Sequence, residues 1–339
     1  LFQLLRGKLE ELPDDFDPEI FMRLLHRHKL LPVAELLLEL VDDETRKNWK
    51  ERLKRLAARS LTISAENMKV IKALREDGIQ AIPMKGAVLA YRLYGDPGLR
   101  QYSDIDLLIN KSELGAAGKI LPEINFNKIY PTDLTKKQER VYFSFRKDFG
   151  FFYEEKQILI ELHFGIYVHQ LLKKQDAEDL FANIEYIDIH NEQIAVQDEA
   201  STFIYLVFHG CLHQFYRLTW LRDIARCLEV FDLDHEGILE RFRKLGLERL
   251  LATGLILAQH YFNAEIPLAY KGLISRGAVI NTLVRKCHQR ITEPENTSLK
   301  ATYLRHSFFL NLKPGLKFKW MVIWSLIQRW RIRKFMGGH

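Results

Sequence analysis

Two aspartates one residue apart, Asp104 and Asp106, sit in the apolar run DIDLLI. In a strand, residues two apart project from one face, so both carboxylates point one way while Ile105 and Leu107 point the other. Burying one carboxylate is costly, and a second beside it adds repulsion. The stretch ILIELHF repeats the geometry, with Glu161 and His163 on one face and Ile160 and Leu162 on the other. If these strands are neighbours in one sheet, three carboxylates converge. Such a cluster is tolerable when divalent cations neutralise it, and hard oxygen ligands select Mg²⁺ or Mn²⁺. Metal ions held this way serve phosphoryl or nucleotidyl transfer.

The segment before the aspartates suits the same chemistry. IPM leads through Lys85-Gly86-Ala87 into the helical pattern GAVLAYRLY. Backbone N–H groups at a helix N-terminus form an anion site, and a glycine there lets a phosphate approach closely. Lys85 adds a point charge suited to a phosphate oxygen. Arg100, in the loop before the acidic strand, reads as a clamp for a second phosphate, with Ser103 a further candidate contact. His163 shares the face of Glu161 and reads either as a phosphate contact or as a structural histidine.

Around this centre the periodicity divides the chain. Residues 1–78 carry helical spacing, as in LLPVAELLLELV and ENMKVIKALREDGI. Residues 79–196 form a mixed α/β core, with strands expected at IQAIPM, DIDLLI, FGFFYEE, ILIELHF and the IEYID/QIAV pair. Residues 197–295 read as a helical domain, and 296–339 as a basic, aromatic tail of helices. The expected fold is α+β: a small mixed sheet flanked by N-terminal helices and a C-terminal helical domain.

Composition excludes little more. Apolar residues make up 47% and charged residues 28%, ordinary for a folded soluble protein. No apolar run is long enough to span a bilayer. The opening LFQLLRGKLEELP reads as an amphipathic helix without the features of a signal peptide. Cys211, Cys227 and Cys287 are widely spaced, which argues for free thiols in a reducing, cytoplasmic setting. The net charge of +6 resides in the tail: nine lysines and arginines follow Glu295 with no acidic residue among them. In GLKFKWMVIWSLIQRWRIRKF, Trp320, Trp324 and Trp330 stand in a basic surround. That pattern suits an anionic membrane surface, or else a helix packing its Trp/Ile face on the body. No nucleic-acid recognition motif is present.

The strand, the glycine turn into a helix, the DxD strand and the later acid together resemble the polymerase-β-like nucleotidyltransferase superfamily. More narrowly, MKGAVLAYRLYGDPGLRQYSDIDLLI, ELHF and FHGCLHQFYRLTWLRDIAR resemble a family of uncharacterised bacterial nucleotidyltransferases, over roughly residues 20–265. The resemblance implies that Asp104 and Asp106 ligate metal and that Glu161 is the third acid, as ligand or as base for the acceptor. It also places Gly86 beneath the triphosphate. The wider superfamily has Gly-Gly or Gly-Ser at this turn; this chain has Gly86-Ala87 and a longer gap before Asp104, as in the narrower family.

The expected function is transfer of a nucleoside monophosphate from an NTP, ATP foremost, to a hydroxyl or phosphate on a small molecule, peptide or protein, releasing pyrophosphate. Kinase-like phosphate transfer at the same metal site is one alternative, and a non-catalytic nucleotide-binding or membrane-associated scaffold another. His209 and His213, four apart on a helical pattern, lack the glutamate of a zincin and a third ligand. With Arg217, Trp220 and Asp223 they read as lining a substrate cleft or holding a domain junction.

Overall fold

The computed structural model describes residues 1–7, 11–131, 134–165, 172, 182–275, 277–293 and 306–335. Along the chain, α1 (Phe2–Leu5) and α2 (Pro18–Arg27) precede the long α3 (Asp43–Glu76). Then come β1 (Ile82–Pro83), α4 (Gly86–Tyr94), β2 (Asp104–Leu108), α5 (Leu114–Glu123), β3 (Asn127–Tyr130), α6 (Lys136–Phe145), β4 (Asp148–Tyr153) and β5 (Ile158–His163). A hairpin of β6 (Ile184–Ile189) and β7 (Glu192–Gln197) leads into α7 (Glu199–Leu212) and α8 (Leu218–Val230). The remaining helices are α9 (His235–Lys244), α10 (Glu248–Phe262), α11 (Leu268–Ile274), α12 (Ala278–Thr292) and α13 (Leu316–Phe335). The fold is therefore mixed α+β, with a small mixed sheet and many helices.

The chain divides into two compact units, each assembled from separate stretches of sequence. The helical unit comprises Leu1–Arg59, Leu93–Gln101 and Thr202–Lys319. The sheet unit comprises Ser60–Arg92, Tyr102–Ser201 and Trp320–His339.

In the sheet unit, five strands lie in the order β1-β2-β5-β4-β3. The β2–β5 pair is parallel and the other pairs are antiparallel. Alternation explains the packing: Ile105, Leu107, Ile160 and Leu162 are all buried, in one apolar cluster with Val70 and Leu74 from α3 and Leu121 from α5. Arg92 on α4 donates to the carbonyl of Gln197 at 2.9 Å and pairs with Glu185 at 2.5 Å, tying that helix to the β6–β7 hairpin.

In the helical unit, Asp17 caps α2 by accepting from Ile20 N at 2.8 Å, and Pro18 occupies the first turn, where its missing N–H costs nothing. Phe21 stacks on the buried Trp49, 5.7 Å between ring centroids. Helices α7 to α10 follow the periodic segments of the sequence. LLPVAELLLELV does not form an α-helix: it makes a 3₁₀ stretch over Leu31–Leu37 that leaves Leu36 and Leu40 exposed. Its start has no side-chain cap, and Pro32 supplies no N–H to continue a ladder.

Two elements were not expected from periodicity. Strand β3 is short and mostly exposed. Helix α6 begins at a capping box, where Thr135 and Gln138 satisfy each other's backbone N–H groups. The motif TKKQ was its available signal.

Candidate active site

The parallel pairing of β2 and β5 sets Asp106 directly beside Glu161 and Leu108 beside His163. Residues paired across strands point to the same face, so Asp104, Asp106, Glu161 and His163 share one side of the sheet. The ligand-capable atoms of Asp106, Glu161 and His163 lie within 4.8 Å of one another, the one group of this kind among the described residues. His163 Nε2 stands 3.2 Å from Asp106 Oδ1 and 3.6 Å from Glu161 Oε2. Asp104 lies half-buried two residues earlier on the same face, paired with Leu159.

Lys85 reaches this cluster from the β1–α4 turn, its Nζ 3.0 Å from Asp106 Oδ2. The turn is held against β2, since Met84 N donates to Asp106 O at 3.0 Å. Gly86 opens α4 with φ +69°, a left-handed conformation that favours glycine. A Cβ there would also lie 3.5 Å from the Asp104 carbonyl oxygen. Helix α4 has no acidic residue in its first turn, so its positive N-terminal end faces no competing carboxylate from its own chain segment. Ala87 is buried just inside the helix, and Ser103 is exposed just before β2.

The carboxyls of this cluster are pushed in opposite directions. Burial alone would raise Asp106, but the Lys85 ammonium and the His163 imidazole outweigh it and hold the carboxyl far below the usual range. Glu161 is raised, first by burial and then by the charge on Asp106, with a smaller push from Asp104. Two adjacent carboxyls so driven apart are a frequent mark of functional sites.

Tyr130 joins the cluster without having been singled out in the sequence. Its hydroxyl donates to Glu161 Oε1 at 3.4 Å, and burial together with the Glu161 charge pushes the phenol up. The ring lies over Gly150, the residue paired with both Tyr130 and Glu161 in the sheet. A Cβ on Gly150 would fall 2.0 Å from Tyr130 Cε1. A glycine within an otherwise aromatic strand, FGFFY, was the signal for a close approach there.

The remaining candidates belong to the helical unit. Arg100 and Asp223 form a buried, bidentate pair: Nη2 donates to Oδ2 at 2.9 Å and Nε approaches both oxygens at 3.1 Å. Tyr94 donates its hydroxyl to the same carboxylate at 2.9 Å. Asp223 is fully buried with these partners. His209 meets Trp220 edge-on and His213 meets it tilted, with centroids at 5.3 and 5.0 Å, and Arg217 lies over Tyr216 at 5.1 Å. The structure thus gathers Lys85, Gly86, Asp104, Asp106, Glu161 and His163 in the sheet unit, and Arg100, His209, His213, Arg217 and Asp223 in the other.

The donor set fits a divalent cation. Asp106 and Glu161 offer carboxylate oxygens and His163 an imidazole nitrogen, all close enough to share one ion. The imidazole widens the choice from Mg²⁺ towards Mn²⁺.

A family described as uncharacterised nucleotidyltransferases matches residues 14–263 of the chain. Among solved structures, the chain is similar to an antigenic nucleotidyltransferase-like protein from Paracoccidioides brasiliensis: 16% identity, 64% of this chain and 97% of that chain covered, and a TM-score of 0.34. No curated protein matches it.

Proposed function

Because the chain belongs to the uncharacterised nucleotidyltransferase family over residues 14–263, we propose that the acidic face of its sheet carries out metal-dependent nucleotidyl transfer of the polymerase-β-like kind. Asp106, Glu161 and His163 would hold a divalent cation, with Asp104 flanking them. The cation would supply charge neutralisation for the triphosphate and for the departing pyrophosphate.

The chain's own groups do the positioning. The N-terminal end of α4 and Lys85 receive phosphate oxygens, and Gly86 leaves room for them. An acceptor hydroxyl attacks the α-phosphorus, the bond to the β,γ-pyrophosphate breaks, and the hydroxyl proton is released. The Glu161 carboxyl, where it does not ligate the cation, is the group placed to take it up. Tyr130 orients that carboxyl by its hydrogen bond. Most of the rate would come from orientation and electrostatics. The meeting of Asp106, Glu161 and His163 on adjacent parallel strands, beside the Lys85-Gly86 turn, carries this reading.

The test uses ATP labelled at the α- or γ-phosphate, with Mg²⁺ or Mn²⁺ and a screen of acceptors. Transfer of the α label alone is expected. Asp104→Asn and Asp106→Asn should each lower product roughly a hundredfold or more with the fold retained. Wild-type incorporation by both variants, or transfer of the γ label alone, would overturn the assignment.

A further inference from the structure

We propose that α13 docks the protein on an anionic lipid surface. Leu316, Trp320, Ile323, Trp324 and Ile327 follow one another at steps of four, three, one and three, which puts them on one helical face. Their exposures are 74, 68, 38, 57 and 44%. Phe318 and Val322, on the opposite side, are 7% and 1% exposed. The helix is therefore apolar on two sides, one covered by protein and one open. An exposed run of large apolar side chains on one helical face marks an interaction surface.

Charge identifies the occupant. Lys317 and Lys319 are exposed and border the open face on its two edges. The last turns of the helix carry Arg329, Arg331, Arg333 and Lys334, and no acidic residue follows Glu295 anywhere in the sequence. A second copy of this face would set like charges against each other, whereas anionic headgroups neutralise them. Tryptophans suit such a surface because the ring is apolar and its N–H can still reach water. No helix among the described residues is long and apolar enough to cross a membrane. The binding mode is thus a helix lying in the interface plane with its apolar face inserted among the headgroups.

The full chain is to be sedimented with vesicles of phosphatidylcholine, with and without phosphatidylglycerol, at low and high salt. Binding to the anionic vesicles alone is expected, lost at high salt, with a blue shift of tryptophan emission. Trp320→Ala/Trp324→Ala and Lys317→Glu/Lys319→Glu should each weaken partitioning by about tenfold or more. These side chains are exposed, so unchanged thermal unfolding will verify that both variants fold. Absence of sedimentation by the intact protein overturns the proposal, as does equal binding to neutral vesicles or full binding by either variant. A lipid-free dimer abolished by the tryptophan variant would assign the face to a second copy instead.

Discussion

At Asp106, burial and charge act on one carboxyl in opposite senses. Desolvation favours the neutral acid; the ammonium of Lys85 and the ring of His163 favour the anion and prevail. His28, in the helical unit, shows the same competition with the opposite outcome, since burial prevails over a backbone hydrogen bond at Tyr216 that favours the charged ring. It is buried, its Nδ1 has no hydrogen-bond partner among the described residues, and Arg27 stands beside it. Burial first, then the Arg27 charge, lower it from the ordinary 6.5 to about 4. A histidine with a depressed folded value stabilises the fold fully above its unfolded value, and that contribution is lost as pH falls through the folded one. Stability should therefore fall between about pH 6.5 and about pH 4, by at most about 3–4 kcal/mol at 1.4 kcal/mol per unit. Urea unfolding of wild type and His28→Leu across that range measures it. The variant should lose this part of the pH dependence; equal slopes would remove the assignment.

Among the elements, the β3–β4–β5 ladder carries a specific packing constraint. The Tyr130 ring occupies the space a side chain at Gly150 would need. Gly150→Ala should force the ring aside, at a cost of about 1–3 kcal/mol from overpacking. The Tyr130 hydroxyl would also be drawn from Glu161. A double-mutant cycle with Tyr130→Ala, read by thermal unfolding, checks this: the alanine at 150 should cost much less once the ring is gone. An equal cost in both backgrounds would place the strain elsewhere. In the helical unit, the Arg100–Asp223–Tyr94 group holds the loop after α4 to α8, with both oxygens of the buried Asp223 carboxylate accepting hydrogen bonds. A buried ion pair of this kind costs about 3–5 kcal/mol when one partner is removed.

For the whole molecule, cation binding is linked to folding. An ion held by the native cluster and not by the unfolded chain raises stability by about 2.7 kcal/mol at a hundred times its dissociation constant. Mn²⁺ or Mg²⁺ should therefore raise the melting temperature by a few degrees, and Asp106→Asn should abolish the shift. Equal shifts in wild type and variant would mean that the ions bind elsewhere. Both units are built from separated sequence segments, and the chain passes between them at several points, including within α3 and α4. No linear reading of periodicity could find that pairing of segments, because periodicity reports a local face and not what covers it.

The alternation in DIDLLI and ILIELHF was enough to determine the strands, their buried faces and, within each strand, the shared side of its two polar residues, since strand geometry follows from the period of two. The Gly86 turn into α4 was equally legible, because a left-handed residue and a helix start leave local marks. Tertiary structure alone decided that β2 and β5 are parallel neighbours in the register that sets Asp106 beside Glu161. It also decided that Lys85 neutralises Asp106, that Tyr130 reaches Glu161 across Gly150, and that Arg100 meets Asp223. Those partners lie up to 123 residues apart, and contacts over such separations are set by how whole elements pack, a property that no stretch of neighbouring residues encodes.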